Sequence, residues 1–184
     1  VSHETGARLA RRHAGEAVTV RVDADVDEST SRNVHAVLGP ETGTELLVTS
    51  HLDAHDIAEG AMDNGAGTAM LVELAAALDA EDLGVRVRFV AFGAEEVGLL
   101  GSGHEAETAD LDDVRAVVNL DGVLQSRDVA VTTHGFDPLA ETLRDVADRL
   151  GHPVEVNPQM GPHSDHWPFV ARGVPGCHVH TAAE

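Results

Sequence analysis

Apolar and polar positions change period several times along the chain, and each change predicts an element. "AVTVRVDADV" (17–26) alternates strictly and predicts a half-buried strand. "NVHAVLG" (33–39) predicts the next strand, ended by Gly39-Pro40. "ELLVTS" (45–50) is short and continuously apolar, as a central strand covered on both faces would be. "GAGTAMLVELAAALDA" (65–80) switches to a helical period, with Met70, Leu71, Leu74, Ala75 and Leu78 along one face. "VRVRFVAFG" (85–93) predicts a strand and "GSGHEAETAD" (101–110) a short helix. "VRAVVNLDG" (114–122) and "DVAVTTH" (128–134) predict two more strands. "DPLAETLRDVADRLG" (137–151) has the clearest helix signals: Asp137 as cap, Pro138 in the first turn, Gly151 at the stop. After a loop, "SDHWPFVARG" (164–173) predicts a short helix and "VPGCHVH" (174–180) the last strand.

Strands alternating with helices predict an α/β domain whose sheet is mostly parallel, mixed and doubly wound, flanked by helices. Such sheets carry their sites beyond the carboxyl ends of the strands. The polar clusters fall at that rim. "HLDAHD" follows one strand, "AEE" another, "LDG" a third, and "HVHT" closes the last.

Composition narrows the chemistry. The 184 residues suit one domain with a real core, and 42% hydrophobic content is that of a globular protein. No apolar run reaches the length of a membrane span. Val1 opens no signal-peptide pattern, so export and the cytoplasm of an extreme halophile both stay open as locations. A single cysteine, Cys177, excludes an internal disulfide and a cysteine-based metal cluster. With 32 acidic against 12 basic residues the formal charge is -20, and every basic residue is Arg. That surface repels nucleic acid and anionic membrane. Together with 3% aromatics it suggests a halophilic, acidic protein, in which concentrated salt screens the self-repulsion.

A metal site in this chain must therefore use His and carboxylate. Two divalent ions about 3.5–4 Å apart can activate a water and polarise a carbonyl together. They need a bridging carboxylate, further His and carboxylate ligands, and a carboxylate to move the water's proton. His51 and Asp53 form an H-x-D pair, in which one binds and the other orients the imidazole. Asp63 stands just before a helix, where it can bridge or merely cap. Glu95 and Glu96 are adjacent, so one can bind while the other acts as base. Asp121 and His180 complete the set from two further strand ends.

"HLD…GAMDNGAGTAMLVELAAAL", "RFVAFGAEEVGLLGS", "VVNLDG" and "SDHWPFVARGVP…HT" stand in the order of, and resemble, the dizinc aminopeptidases of the aminopeptidase Y type. The resemblance covers nearly the whole chain. It implies the zinc-dependent exopeptidase fold and a metalloprotease that hydrolyses the N-terminal residue from peptides with a free N-terminus. Two zinc ions would bridge the attacking water, with cobalt or manganese as possible substitutes. His51 and Asp121 would hold one ion, Glu96 and His180 the other, and Asp63 would bridge. Glu95 would be the general base and Asp53 the partner of His51. A cis peptide after the bridging Asp would fall at Asp63–Asn64.

Ser164, Asp165 and His166 sit where the family shapes its substrate pocket, with Trp167 or Phe169 as an apolar wall; the rival reading is a helix start with core aromatics. His178 shares a face with His180 and is expected to pack beneath the site. Some members place a Tyr beside the last His ligand; this chain has no Tyr, so that donor is either missing or replaced, with His166 and His163 as the candidates. "VSHETGARL" (1–9) resembles the exit from a protease-associated domain, and a helix is expected after 184. Residues 1–184 therefore read as a single catalytic domain, itself a fragment. Two other classes share this fold: glutaminyl cyclases, which use one zinc and acyl transfer, and non-catalytic homologues such as the transferrin receptor ectodomain. Oligomeric state is not legible.

Overall fold

The computed structural model describes residues 2–25, 27–124 and 126–182. Contacts divide the chain into two compact units, Val1–Thr30 and Ser31–Glu184. In the first, helix α1 (His3–Arg12) opens at Ser2, whose Oγ accepts from the Thr5 N–H at 3.3 Å, and none of its residues is buried. The strand predicted at 17–26 does not form at its described positions, and Val18, Val20 and Val22 lie exposed; Val26 lies outside the described residues. Alternation supplies an apolar face, but a strand also needs a partner to receive its N–H and C=O groups. Among the described residues of this unit no such ladder forms.

The second unit is a seven-stranded sheet, with β1 (Val34–Leu38), β2 (Glu45–His51), β3 (Arg86–Phe92), β4 (Val114–Leu120), β5 (Val129–Thr132), β6 (Val154–Asn157) and β7 (Gly176–Thr181). The spatial order is β1-β3-β2-β4-β7-β5-β6. Pairs β2/β3, β2/β4, β4/β7 and β5/β6 are parallel, while β1/β3 and β5/β7 are antiparallel. This is the mixed, mostly parallel α/β sheet expected. Between the strands lie α2 (Ala66–Leu78), α3 (Leu100–Thr108), α4 (Asp137–Leu150) and the single turn α5 (Trp167–Val170). Periodicity missed helix α1 in the first unit and strand β6 in this one, whose four residues between Pro153 and Pro158 give too short an alternation to read. Helix α4 starts at Asp137 itself, with Phe136 in the cap position, and ends at Gly151 in the left-handed region (φ 67°).

Pleating explains the two cores. On β3, Val87, Phe89 and Ala91 point to one face and pack with Leu71, Ala75 and Leu78 of α2. Val90 and Phe92 point to the other and join Leu47, Ala106 of α3, Val117 and Phe169. Phe92 and Phe169 are fully buried, their ring centroids 6.1 Å apart. Each such side chain contributes about 1.5–3 kcal/mol of burial. Phe169 is therefore core, which settles the rival readings of that residue.

The topology sets up the site. Strand β2 is central, with β3 on one side and β4 on the other, all parallel. Their carboxyl ends lie side by side, so the loops leaving them share one crevice.

Candidate metal centre

His51 is the last residue of β2 and is 1% exposed. Thr68 of α2 holds its backbone, donating from Oγ1 to the His51 carbonyl at 2.8 Å. Around the imidazole Nε2 stand Asp63 Oδ1 at 3.1 Å, Asp121 Oδ1 at 3.5 Å and Glu95 Oε2 at 3.9 Å. That nitrogen is buried and has no hydrogen-bond partner. His51, Asp63 and Asp121 bring one ligand atom each within 4.8 Å of one another, and so do His51, Glu95 and Glu96. A bare imidazole nitrogen facing several carboxylates fits a cation in chemistry and in spacing.

Asp63 reaches the crevice from a single helical turn (Ala61–Gly65) in which Asp63 and Asn64 leave helical dihedrals. The Asp63–Asn64 peptide is cis. Asn64 fastens this turn to β4: its Nδ2 donates to the Leu120 carbonyl at 2.8 Å, and its Oδ1 accepts from Gly67 N–H at 3.1 Å. Asp63 stays 60% exposed, as a ligand reachable by substrate would.

Asp53 meets His51 chiefly through its main chain. The His51 Nδ1–H donates to the main-chain carbonyl of Asp53 at 3.1 Å, whereas the Asp53 carboxylate lies 3.5 Å from that nitrogen. Its two oxygens instead accept the backbone N–H groups of Glu95 (3.1 Å) and Glu96 (3.2 Å). Ala94, with φ 58°, turns the chain so that both N–H groups face Asp53. Glu96 also meets His55, Nε2 to Oε2 at 3.0 Å, a contact for which the motif gives no signal.

Asp121 follows β4, and its Oδ2 accepts from Ser164 Oγ at 2.6 Å. Ser164 accepts from Asn119 Nδ2 at 2.8 Å, and Asn119 Oδ1 accepts from Thr49 Oγ1 at 2.7 Å. This buried chain of hydrogen bonds runs from β2 through β4 to the carboxylate and fixes its orientation. Thr49 and Asn119 were missed in the sequence because each reads as an ordinary strand residue. The register pairing them, Thr49 beside Asn119, is a tertiary fact.

Ser164, Asp165 and His166 are each 0% exposed. They underlie the centre and have no surface to offer a substrate, unlike the role expected of them. His166 is stacked between His134 (4.5 Å) and His178 (5.3 Å), and His178 abuts His180 (4.9 Å). His166 is thus buried away from any substrate, while His163 is exposed at the same cavity as Asp121. His178 packs beneath, its Nε2–H donating to the Asp121 carbonyl at 3.0 Å. His180 is not brought to either metal-ligand group. Its Nδ1 lies 2.9 Å from the Thr181 carbonyl and its Nε2 3.2 Å from Thr132 Oγ1.

The electrostatics follow from burial and crowding. Burial pushes the Glu95 carboxyl up to about 7 against the pull of His51. Burial alone would lower His51, but Asp121, Glu95 and Asp165 outweigh it and raise the imidazole to about 10. Burial and then the repulsion of His178 and His134 push His166 down to about 3. Burial raises Asp165 to about 8.

Residues 33–184 match the model of peptidase family M28. Aminopeptidase YwaD of Bacillus subtilis (strain 168) is 32% identical over 181 residues, covering 89% of this chain and 40% of that protein. The crystal structure of BSAP, a zinc aminopeptidase from Bacillus subtilis, superposes with a TM-score of 0.73 at 31% identity, covering 80% of this chain and 39% of that one. An aminopeptidase from Aneurinibacillus sp. strain AM-1 gives 0.78 at 30% identity, covering 98% and 47%. The chain thus spans less than half the length of these relatives. With the ends of β2, β3 and β4 bringing His51, Asp63, Glu95, Glu96 and Asp121 together and this match across residues 33–184, the chain belongs to peptidase family M28.

Proposed function

We propose that the chain is the catalytic part of a metal-dependent aminopeptidase that removes the N-terminal residue of a peptide by hydrolysis. The observation that carries this reading is the pair of three-ligand groups sharing His51, set at the end of the central strand. The names of the relatives, aminopeptidase and zinc aminopeptidase, support the same class.

Two zinc ions fit the donor set. His51 and Asp121 would hold one, Glu96 the other, and Asp63 would stand between. His180 joins Glu96 only by leaving its bonds with Thr132 and the Thr181 carbonyl. When bound, zinc lowers the pKa of water towards neutrality and polarises a carbonyl. The remaining chemistry belongs to side chains. Glu95, raised towards neutrality by burial, takes the proton of the attacking water and passes it to the leaving amine. Asp53 fixes the Glu95–Glu96 turn through two backbone N–H groups, so that base and ligand keep their relative positions. Ser164 holds Asp121 to one orientation.

The test is metal content per chain by elemental analysis after dialysis against zinc in concentrated KCl, followed by aminoacyl p-nitroanilides with and without chelator. Two ions and chelator-sensitive release are expected. Glu95→Gln is expected to keep both ions and lose about 10²–10⁴-fold in kcat/KM, the range of a general base. One ion without hydrolysis would favour the cyclase class, and a folded chain that takes no metal would sink the reading.

A further inference from the structure

The loop that leaves β3 carries Glu95 and Glu96, and its two ends meet at a narrow neck. Gly93 directly follows β3, and Gly101 lies in the first turn of α3. A Cβ added at Gly101 would overlap the Gly93 carbonyl and Asn33 Oδ1, and one added at Gly93 would overlap Ser31 Oγ. The ends are therefore too close for a side chain at either. Asn33 stands at this neck because β1 pairs with β3 in the register Val34↔Ala91, which sets the residue before β1 beside the end of β3. Its amide bonds both ends of the loop. Oδ1 accepts from the Gly93 N–H at 3.2 Å, and Nδ2 donates to the Gly101 carbonyl at 3.0 Å. Acceptor and donor sit on one planar group, so the two bonds fix the width of the neck.

Inside the neck the backbone is not relaxed. Ala94 and Leu99 both have φ 58°, in the left-handed region that a Cβ disfavours. Such residues persist where their surroundings over-determine them. Asp53 holds the loop from the front, through the N–H groups of Glu95 and Glu96. The Leu100 N–H donates across it to the Ala94 carbonyl at 3.0 Å. Asn33 holds it at the neck. Gly93 is buried, so an N–H deprived of Asn33 has little solvent to replace it.

We propose that Asn33 is a positioning residue for the reaction. By closing the neck it sets the turn at Ala94, and with it the places from which Glu95 reaches the attacking water and Glu96 reaches its ion. The inference rests on the aminopeptidase reading and the two-ion site above. The Asn33 amide is spent on the two loop ends, so it acts through them.

The experiment compares the intact, zinc-loaded parent with four variants. Asn33→Leu keeps the volume and removes both bonds, and Asn33→Ala removes the bonds and the volume. Gly101→Ala pushes the same neck apart from the helix side. Val87→Ala truncates the core at the other end of β3 and serves as the comparison for lost stability alone. Each is assayed on the aminoacyl p-nitroanilide that the parent cleaves fastest, titrated with zinc against a chromophoric chelator, and unfolded in denaturant. A reacting group misplaced by about 1 Å can cost about 100-fold, so the three neck variants are expected to lose about tenfold or more in kcat, with KM nearly unchanged. Their Glu96-side ion is expected to bind about tenfold more weakly while the other ion holds. Val87→Ala is expected to lose stability and keep its kcat. An unchanged kcat in a folded, zinc-loaded Asn33 variant, or a loss no larger than that of Val87→Ala at equal stability, overturns the role of Asn33 and leaves the peptidase reading standing. No release by parent protein carrying its zinc overturns both.

Discussion

Asp53 has two jobs, and they are split between different oxygens. Its carbonyl orients His51, while its carboxylate gathers the Glu95 and Glu96 N–H groups. Asp53→Asn therefore leaves the imidazole braced and places an amide N–H against a backbone N–H at the base turn. In the two-ion site proposed above, the expected result is metal binding weakened about 10–100-fold for the ion on the Glu96 side, the usual cost of losing an outer hydrogen bond. Competition against a chromophoric chelator measures it; equal weakening of both ions would contradict the split. His166 gives a pH prediction. Its folded pKa, about 3, lies below the ordinary 6.5, so on acidification the unfolded chain takes a proton that the folded one refuses. Its contribution is fully present above 6.5 and is lost as pH falls towards 3, by up to roughly 1.4 kcal/mol per pH unit. Urea unfolding of the metal-free protein from pH 7 to 4 should show that slope, and His166→Gln should flatten it. At this scale the chemistry-bearing residues were legible because imidazole and carboxylate at strand ends have few other uses. Thr49, Asn119 and the true partner of the Asp53 carboxylate were not, because a hydrogen bond across strands has no signature in spacing.

Among the elements, α2 depends on a close approach at its first turn. A Cβ added at Gly67 would lie 2.2 Å from Asn64 Oδ1 and 2.5 Å from the Leu120 carbonyl. Gly67→Ala must push apart the bridge by which Asn64 ties the Asp63 turn to β4. A loss of about 1–3 kcal/mol is expected, as for other overpacked sites, measured by denaturant unfolding. A variant as stable as the parent would show that the approach is slack. Periodicity identified α2, α4 and six of the strands because each buries one face or two against a neighbour. It failed at 17–26, where alternation is present and a partner is not, and at β6, where the partner is present and the alternation is four residues long.

For the whole molecule the dominant quantity is charge. With 32 acidic and 12 basic residues, the chain carries a formal charge of -20. Salt shortens the screening length from about 10 Å at 0.1 M to about 3 Å at 1 M, so repulsion between surface carboxylates fades. The midpoint of thermal unfolding is expected to rise by several degrees between 0.1 M and 2 M KCl, and calorimetry would show it. A midpoint independent of salt would mean that the charges are already too far apart to matter. Part of the acid is neutralised locally: Glu45 receives Arg86 (2.7 Å) and Arg88 (2.8 Å), and Arg88 also pairs with Glu105. Among the described residues no helix is long and apolar enough to cross a membrane.

Hydrophobic period, turn residues and the kinds of side chain at strand ends were properties of the sequence itself. They determined an α/β sheet with a His and carboxylate rim, because burial and backbone geometry act over neighbouring residues and leave their period in the chain. Which of those rim residues meet was decided only in three dimensions. The order that places β2 between β3 and β4 brings His51, Asp63, Glu95, Glu96 and Asp121 into one crevice. The antiparallel pairing of β7 with β5 turns His180 towards Thr132. The same packing buries Ser164, Asp165 and His166 beneath the centre. Contacts between residues 40 to 70 positions apart depend on strand order and register, and neither leaves a local trace in sequence.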